Sequence, residues 1–280
     1  MFKGPLLNQI FPNWNSVIDL RDAVKKSIEH DISMNWKVGP FLEPPFENFV
    51  GSPMGAFAKS SKTCVTHDLS WPPERSINCF IPSELCSVKY ISVEDAVSLV
   101  KERGPGCLMS KVDLSNAYKQ VGVRPKDWPL LGTTWLNDEG STEYYYDTVL
   151  PFGCRSSAVQ FDKMAQGLEY MMKLDGATNC IHYLDDTFTC GAAGTDECLS
   201  NLETILATCA EAGVALGLAG FNPANFSGNS FRAGAATTAG DLGFEDYELK
   251  MLGRWSSSAY TVYLRNPKIV STFAKRLVPT

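Results

Sequence analysis

The sequence feature that most limits the fold of this chain is a short hairpin whose turn carries two adjacent carboxylates. Residues 181–190 form two apolar stretches that we interpret as strands, joined at Leu184-Asp185-Asp186. An earlier apolar strand, predicted over Cys107–Leu114, carries Asp113 near its end. The sequence therefore predicts three carboxylates on rigid backbone, one from the first strand and two from the hairpin turn.

Three carboxylates in this pattern favour a site for two divalent cations. Nucleotidyl transfer uses two such ions about 3.5–4 Å apart, which hold the attacking 3′-oxygen and the departing pyrophosphate. Mg²⁺, with Mn²⁺ as the alternative, prefers carboxylate oxygens on rigid backbone. A single Asp of this kind is more often an ordinary turn or strand-end residue, so the interpretation depends on the surrounding motifs.

The remaining periodicity predicts further helices and strands. Ser92-Val93-Glu94-Asp95 is typical of a capping box at the start of a helix. The helical pattern near the end of this region places Leu199, Leu202, Leu206 and Cys209 on one face. The predicted helices are 16–29, 92–103, 156–173 and 195–212, and another strand is predicted over 142–150.

Three motifs in order resemble those of reverse transcriptases. The segment Lys111 to Val121 (KVDLSNAYKQV) resembles their first palm motif, and Leu150 to Cys154 (LPFGC) resembles their LPFG motif. Tyr183-Leu184-Asp185-Asp186 resembles their Y-x-D-D box. The resemblance implies an α+β fingers–palm domain over residues 15–212, with an antiparallel sheet backed by helices. Such a domain would act as a retroelement RNA-directed DNA polymerase on an RNA or DNA template–primer and deoxynucleotides.

The same resemblance implies roles for individual residues. Asp113 and Asp185 would ligate both metal ions, and Asp186 would support them. Tyr118 would be a steric gate against the ribose 2′-hydroxyl, although a plain core tyrosine is an equally good interpretation of that position alone. Phe152 and Gly153 would line the nucleotide pocket, where glycine allows a close approach of backbone, or would form a simple turn.

One departure from the family pattern concerns the grip on phosphate. The family usually has an arginine where this chain has Cys64. Lys62 is our candidate for the replacement, with Lys59 as the alternative, although a lysine is a point charge and lacks the bidentate geometry of arginine. Beyond the last predicted helix the family's lysine motif and thumb are not recognised. We therefore expect the polymerase to be incomplete and its activity weak or absent.

A second signature lies in residues 229–280, after a junction at 213–228 that is rich in Gly, Ala and Asn. The segments 229–238 and 251–263 resemble the end of tyrosine recombinases, and more narrowly those of DIRS-type retrotransposons. The resemblance implies a small all-α segment in which Arg232 stabilises phosphate charge and Tyr263 attacks DNA, with Tyr260 as the less favoured nucleophile. Arg254, or alternatively Trp255, would occupy the family's His/Trp position and help to hold that charge. Asn229 stands where the family usually has histidine.

Composition and charge limit the classes of function. The chain has 280 residues, a net charge of −6 and 44% hydrophobic residues. Residues 221–280 carry seven Lys/Arg against four Asp/Glu, so that segment is expected to contact DNA through its positive charge. The acidic balance of the remainder argues against tight template binding by that part alone, although a local basic face stays open. Nine scattered cysteines without a CxxC pair argue against a zinc site or a disulfide framework. We expect a protein of the nucleus or cytoplasm, neither secreted nor in a membrane.

Two other functions stay open at this point. The chain could be a remnant of a tyrosine recombinase that binds DNA and takes part in recombination or DNA integration with a partner chain. It could instead have no enzymatic activity, as a degraded copy of an element or two element pieces joined by a mispredicted gene.

Overall fold

The computed structural model describes residues 1–59 and 62–217, with Lys59 and Lys62 described by their backbone alone. The strands are β1 (Gln9–Ile10), β2 (Lys37–Phe41), β3 (Val50–Gly51), β4 (Met54–Lys59), β5 (Lys62–His67), β6 (Leu108–Leu114), β7 (Gly132–Leu136), β8 (Thr142–Asp147), β9 (Cys180–Tyr183), β10 (Asp186–Gly191) and β11 (Leu216–Gly217). The α-helices are α1 (Asn15–Asp19), α2 (Arg21–Ser33), α3 (Val93–Arg103), α4 (Ser157–Leu174) and α5 (Glu197–Glu211). The chain divides into two compact units.

The first unit comprises residues 1–89, 114–170 and 209–215. Its larger sheet has the order β1-β3-β7-β8-β2, with antiparallel pairing of β8 to both β7 and β2. Strands β4 and β5 form a separate antiparallel hairpin. The apolar core that holds α1 and α2 on these strands consists of Val17, Val24, Ile28, Met54, Ala56, Trp135 and Tyr145. Removal of this surface from water is the main favourable term in folding.

The helix predicted over 16–29 is two helices that meet at Leu20. The backbone of Leu20 leaves the helical region at φ −116° and ψ 33°, and its N–H bonds to the carbonyl of Ser16. This break gives the two helices different partners, because α1 contacts β4 while α2 contacts β2 and β5. The single-helix prediction was wrong because the chain breaks at Leu20 so that the two helices contact different strands, which the periodicity did not reveal.

The described part of the second unit comprises residues 90–113, 171–208 and 216–217. Its sheet has the order β11-β6-β10-β9, and β10 is antiparallel to both β6 and β9. Helix α3 contacts β10. The predicted start of α3 is confirmed, since Asp95 Oδ2 accepts a hydrogen bond of 2.7 Å from the backbone N–H of Ser92.

The buried face of α5 differs from the one predicted. Leu202 and Cys209 are buried as expected, and Leu206 is half-buried, but Leu199 is 55% exposed. The neighbouring Cys198 is buried instead, because its backbone packs so closely on Gly191 of β10 that a side chain at Gly191 would clash with it. This close approach rotates the contact face toward Cys198, Asn201, Leu202 and Ile205.

Among the described residues, no helix has the length and apolar character that crossing a bilayer requires.

Candidate active site

Three aspartates meet at one edge of the sheet in the second unit. Asp113 in β6 lies directly opposite Asp186, the first residue of β10, in the antiparallel register. Asp185 occupies the turn between β9 and β10. One carboxylate oxygen from each of the three residues lies within 4.8 Å of the other two. The structure therefore brings together the three carboxylates that the sequence predicted as metal ligands.

The turn that carries Asp185 contains a residue in an unfavourable backbone conformation. Leu184 has φ +56°, in the left-handed backbone region that residues other than glycine and asparagine rarely adopt. Strain of this kind costs about 1–3 kcal/mol and persists where the surrounding structure fixes the turn. Here the hairpin ladder fixes it, because Asp186 pairs with Tyr183 and Thr187 pairs with His182.

Burial and neighbouring negative charge raise the pKa values of Asp113 and Asp185. Partial burial and the negative charges of Asp185 and Asp186 raise the pKa of Asp113 to about 6, against the opposing charge of Lys111. Partial burial also raises the pKa of Asp185, with a further contribution from Asp186. Like charges directly opposite each other on paired strands are destabilising. The site thus holds more negative charge than its protein surroundings neutralise.

This donor set fits divalent cations. Mg²⁺ and Mn²⁺ are hard ions that take carboxylate oxygens as ligands, and three of these converge here on strand and hairpin backbone. Lys111 lies beside the cluster, with Nζ 2.7 Å from Asp186 Oδ1. The sequence motifs had predicted no role for Lys111. Its proximity to the cluster could have been predicted, because Lys111 lies two residues before Asp113 and alternate residues of a strand face the same side.

The predicted nucleotide-pocket residues lie in the first unit, in a turn between β8 and α4. Gly153 has φ +104°, and a Cβ at this position would collide with the carbonyl oxygen of His67. Glycine is therefore required here for two reasons, the backbone conformation and the close approach of another strand. The preceding Phe152 is 51% exposed, so its ring is accessible at the surface of this turn.

Tyr118 packs in the same unit against two aromatic rings. Its ring centroid is 4.9 Å from that of Phe152 and 5.5 Å from that of Phe161, in tilted and edge-to-face arrangements. Such pairs contribute about 0.5–1.5 kcal/mol beyond the area they bury. Phe161 is fully buried while Tyr118 is half-buried, so the aromatic stack runs from the core to the exposed ring of Phe152.

Asn78 holds the turn around Gly153 from the other side. Its Nδ2 donates to the carbonyl of Gly153 at 2.7 Å, and its Oδ1 accepts from the backbone N–H of Arg155, also at 2.7 Å. The Asn78 side chain is buried, so both bonds form away from water, where they matter most. These two bonds fix the conformation of the turn.

The other predicted site residues have no described side chains. Lys62 lies in β5 opposite Lys59, and its side chain is outside the description. Cys64, which occupies the position of the missing arginine, pairs with Phe57 in the same hairpin. Arg232, Arg254 and Tyr263 lie outside the described residues, as does the proposed helical segment that contains them.

A comparison with protein families matches residues 71–219 to the family described as "Reverse transcriptase (RNA-dependent DNA polymerase)". This range is more than half of the chain and includes all three aspartates, Tyr118 and the Phe152-Gly153 turn. The chain belongs to the reverse transcriptase family. No match was found among curated proteins.

Solved structures of reverse transcriptases share this fold. The chain is similar to the protease-reverse transcriptase of prototype foamy virus, with a TM-score of 0.55, 18% identity and coverage of 76% of this chain. It is also similar to a foamy viral protease-reverse transcriptase in complex with double-stranded DNA, with a TM-score of 0.52, 18% identity and coverage of 77% of this chain. The matched regions are 25% and 33% of those two chains, so the present chain spans about a quarter to a third of their length.

Proposed function

We propose that this reverse transcriptase chain acts as the fingers and palm of a retroelement RNA-directed DNA polymerase. The observation that carries the proposal is the cluster of Asp113, Asp185 and Asp186, whose carboxylates lie within 4.8 Å of one another. Its unneutralised negative charge suits the binding of divalent ions. Strongly perturbed carboxylates that converge in this way are typical of catalytic sites.

In the proposed reaction, the chain's own residues bind and orient the reactants. Asp113 and Asp185 would hold two divalent ions, with Asp186 in support. Those ions, when bound, supply positive charge at the attacking 3′-oxygen and the departing pyrophosphate. The hairpin and the strained turn at Leu184 keep the carboxylates in place before the substrate arrives, and such preorganisation lowers the reorganisation needed during phosphoryl transfer.

The turn at Phe152-Gly153 and the ring of Tyr118 are our proposed elements for nucleotide selection. The absence of a Cβ at Gly153 allows a close approach of backbone, and Phe152 presents an exposed aromatic ring. Tyr118 is supported by Phe152 and Phe161, so its ring has a defined position. A supported ring can exclude a ribose 2′-hydroxyl by contact, which would favour deoxynucleotides over ribonucleotides.

A primer–template duplex is the proposed partner, and we expect a weak grip on it. One of the similar structures was determined in complex with double-stranded DNA. In this chain the net charge is −6, and Cys64 replaces the family's phosphate-binding arginine. Since phosphate neutralisation dominates affinity for nucleic acids, binding should be weak and strongly dependent on salt.

Primer extension by the purified full chain tests the proposal. An RNA template with a DNA primer and deoxynucleotides would be incubated first with Mg²⁺ and then with Mn²⁺, at low salt. We expect slow extension that the Asp185→Asn/Asp186→Asn variant abolishes. Glu203→Gln, which changes an exposed carboxylate of α5 in the same unit, serves as the matched control and should extend at the wild-type rate.

The same assay tests nucleotide selection. Replacement of Tyr118 by Val should raise the use of ribonucleotides relative to deoxynucleotides, because the supported ring is removed.

Extension that is unchanged in the Asp185→Asn/Asp186→Asn variant would contradict the polymerase proposal. A folded wild-type chain that extends no primer with either ion would favour a degraded element copy that retains the site without using it.

We also propose that the chain originates from a DIRS-type retrotransposon, with residues 229–280 as part of a tyrosine recombinase. The support is the order of Arg232, Arg254 and Tyr263 in the sequence, together with the excess of basic residues in that segment. In this proposal the domains are 15–212 for fingers and palm, 213–228 for the junction, and 229–280 for the recombinase segment. The segment would bind DNA through its positive charge and would lack strand-transfer activity by itself.

A covalent adduct assay separates this second proposal from a complete recombinase. Incubation of the chain with labelled duplex DNA should give salt-sensitive binding without a phosphotyrosyl–DNA adduct. An adduct that disappears in Tyr263→Phe would show an active recombinase and contradict the proposed inactivity. Binding that is unchanged when Arg232 and Arg254 are both replaced by Gln would contradict the proposed role of this segment in contacting DNA.

A further inference from the structure

Lys111 lies close enough to the three aspartates to act on all of them. Its Nζ is 2.7 Å from Asp186 Oδ1, and the two side chains are 20% and 12% exposed, so water screens the pair only in part. Its positive charge also acts on Asp113 and Asp185. Within residues 1–59 and 62–217, Lys111 is the basic side chain with an ion pair to this cluster.

The strand register explains this position. Lys111 and Asp113 are two residues apart in β6, so they face the same side of the sheet. The neighbouring β10 places Asp186 opposite Asp113, and the long lysine side chain reaches from one strand to the other. The contact is therefore a product of the paired strands rather than a chance contact between two surface side chains.

We propose that Lys111 is an internal counter-cation of the acidic cluster, which weakens and limits its binding of divalent ions until nucleotide arrives. This inference rests on the proposed function of the cluster as a metal site. A lysine ammonium group is a compact point charge on a flexible side chain, so it can form an ion pair with a carboxylate oxygen and later release it. While Lys111 holds Asp186 Oδ1, that oxygen is unavailable to a metal ion, and the ammonium repels cations nearby.

The consequence is an ordered loading of the site. In the absence of nucleotide, the cluster binds one divalent ion through Asp113 and Asp185. A second ion requires Lys111 to release Asp186, and the negative phosphates of a nucleotide favour this release by offering the ammonium another partner. Lys111 is thus a positioning residue, since it acts through Asp186 and not on the reacting atoms.

Manganese binding to the metal-stripped full chain tests this inference without any measurement of catalysis. Free Mn²⁺ would be quantified by electron paramagnetic resonance at neutral pH, with neither nucleotide nor DNA present. Lys111→Met removes the charge, and Lys111→Gln is a second neutral variant whose polar end suits the half-buried position. Lys111→Arg retains the charge. Lys101→Met removes an exposed lysine of α3 in the same unit and is the matched control.

We expect the wild-type chain to bind one Mn²⁺. Lys111→Met and Lys111→Gln should bind the first ion roughly tenfold more tightly, because a unit charge a few ångströms away is removed from a partly screened site. Both variants should also bind a second Mn²⁺ when the free Mn²⁺ concentration is raised further. Lys111→Arg and Lys101→Met should resemble the wild type.

Two results would overturn the inference. Equal or weaker Mn²⁺ binding by a folded Lys111→Met or Lys111→Gln chain would contradict the counter-cation role alone and leave the metal site intact. Absence of Mn²⁺ binding in the wild type and in both neutral variants would contradict the proposed metal chemistry as well. The Asp185→Asn/Asp186→Asn variant gives the background Mn²⁺ signal of a chain that lacks the metal site. Comparison with this background distinguishes the two failures.

Discussion

Asp147 in the first unit and Asp113 in the second are strand carboxylates in opposite electrostatic settings. Asp147 is 3% exposed and accepts hydrogen bonds from Lys37 at 2.6 Å and from His67 at 3.1 Å. Lys37 also donates to Thr133, and the second ring nitrogen of His67 lies 3.1 Å from the carbonyl of Gly132. Asp113 instead faces Asp185 and Asp186, with Lys111 nearby.

The pKa values of these two carboxyl groups move in opposite directions for this reason. Burial opposes ionisation of Asp147, but the positive charge of Lys37 and the hydrogen bond from His67 overcome it and hold the pKa well below its usual range. Burial and two like charges raise the pKa of Asp113 to about 6. The first arrangement completes its own charge balance within the fold. The second leaves negative charge without an equal number of positive partners, which is why we propose that the chemistry takes place there.

The largest effect should follow from breaking the balanced arrangement. Asp147→Asn would leave Lys37 as a buried charge without its partner, and loss of one member of a buried ion pair costs about 3–5 kcal/mol. Urea denaturation should show this decrease in the free energy of unfolding. Asp138→Asn is the matched control, because Asp138 is an exposed partner of Arg21 and Lys25, and the loss of such exposed ion pairs should change the free energy of unfolding far less. Similar values for the two variants would contradict the distinction.

A smaller loss of stability should follow from a substitution at Gly153, which lies against the backbone carbonyl of His67, the residue whose ring bonds to Asp147. Gly153→Ala would force a Cβ into the His67 carbonyl at φ +104°, with an expected loss of about 1–3 kcal/mol. In α4, Gly167 has open space around it, so Gly167→Ala should stabilise the chain by about 0.5–1 kcal/mol. Thermal unfolding of the two variants would show opposite shifts. A stabilised Gly153→Ala chain would exclude the close approach described here.

The smallest effect concerns the pH dependence of stability. Because the folded-state pKa of Asp113 is about 6, against about 3.9 in an unfolded chain, the folded state binds more protons between these values. The free energy of unfolding should therefore fall as the pH rises from about 4 to about 6. For Asp147 the sign is opposite, since its lowered pKa gives stability above about pH 4 that is lost at lower pH.

Asp113→Asn isolates the contribution of the acidic cluster. The variant should gain about 1 kcal/mol relative to wild type at pH 7.5, after solvent screening of this half-exposed group is taken into account, and little at pH 4.5. Urea denaturation at the two pH values measures the difference. A variant that is less stable than wild type at pH 7.5 would show that Asp113 has a stabilising partner in the fold, contrary to the comparison.

The local elements and the acidic cluster could be predicted from the sequence because their signals are short in range. The hairpin that holds Asp185 required only two apolar stretches and a turn, and the helices α3, α4 and α5 lie within two residues of their predicted bounds. The family motifs then connected Asp113 to that hairpin. The mixed arrangement of sheets and helices followed, and the structural similarity to reverse transcriptases confirms it.

The features that were missed depend on contacts between distant segments. Lys37, His67 and Asp147 lie in three different strands, and nothing in the sequence indicates that these charged residues are buried together. The orientation of α5 was wrong at Leu199 because a close backbone contact between Cys198 and Gly191 decided which face is buried. Periodicity describes which residues share a face, whereas the partner determines how that face is turned.

The most direct test of the central claim is whether a divalent ion stabilises the chain through Asp113, Asp185 and Asp186. Thermal unfolding of the metal-stripped chain would be followed with increasing Mn²⁺ or Mg²⁺, with Ca²⁺-free buffer and constant ionic strength. A ligand that binds the folded state raises its stability by RT ln(1 + [L]/Kd), about 2.7 kcal/mol at one hundred times Kd. We predict that the midpoint temperature of the wild-type chain rises with ion concentration and that of Asp185→Asn/Asp186→Asn does not. An equal rise in both chains, or none in the wild type, would contradict the claim that this cluster is a metal site.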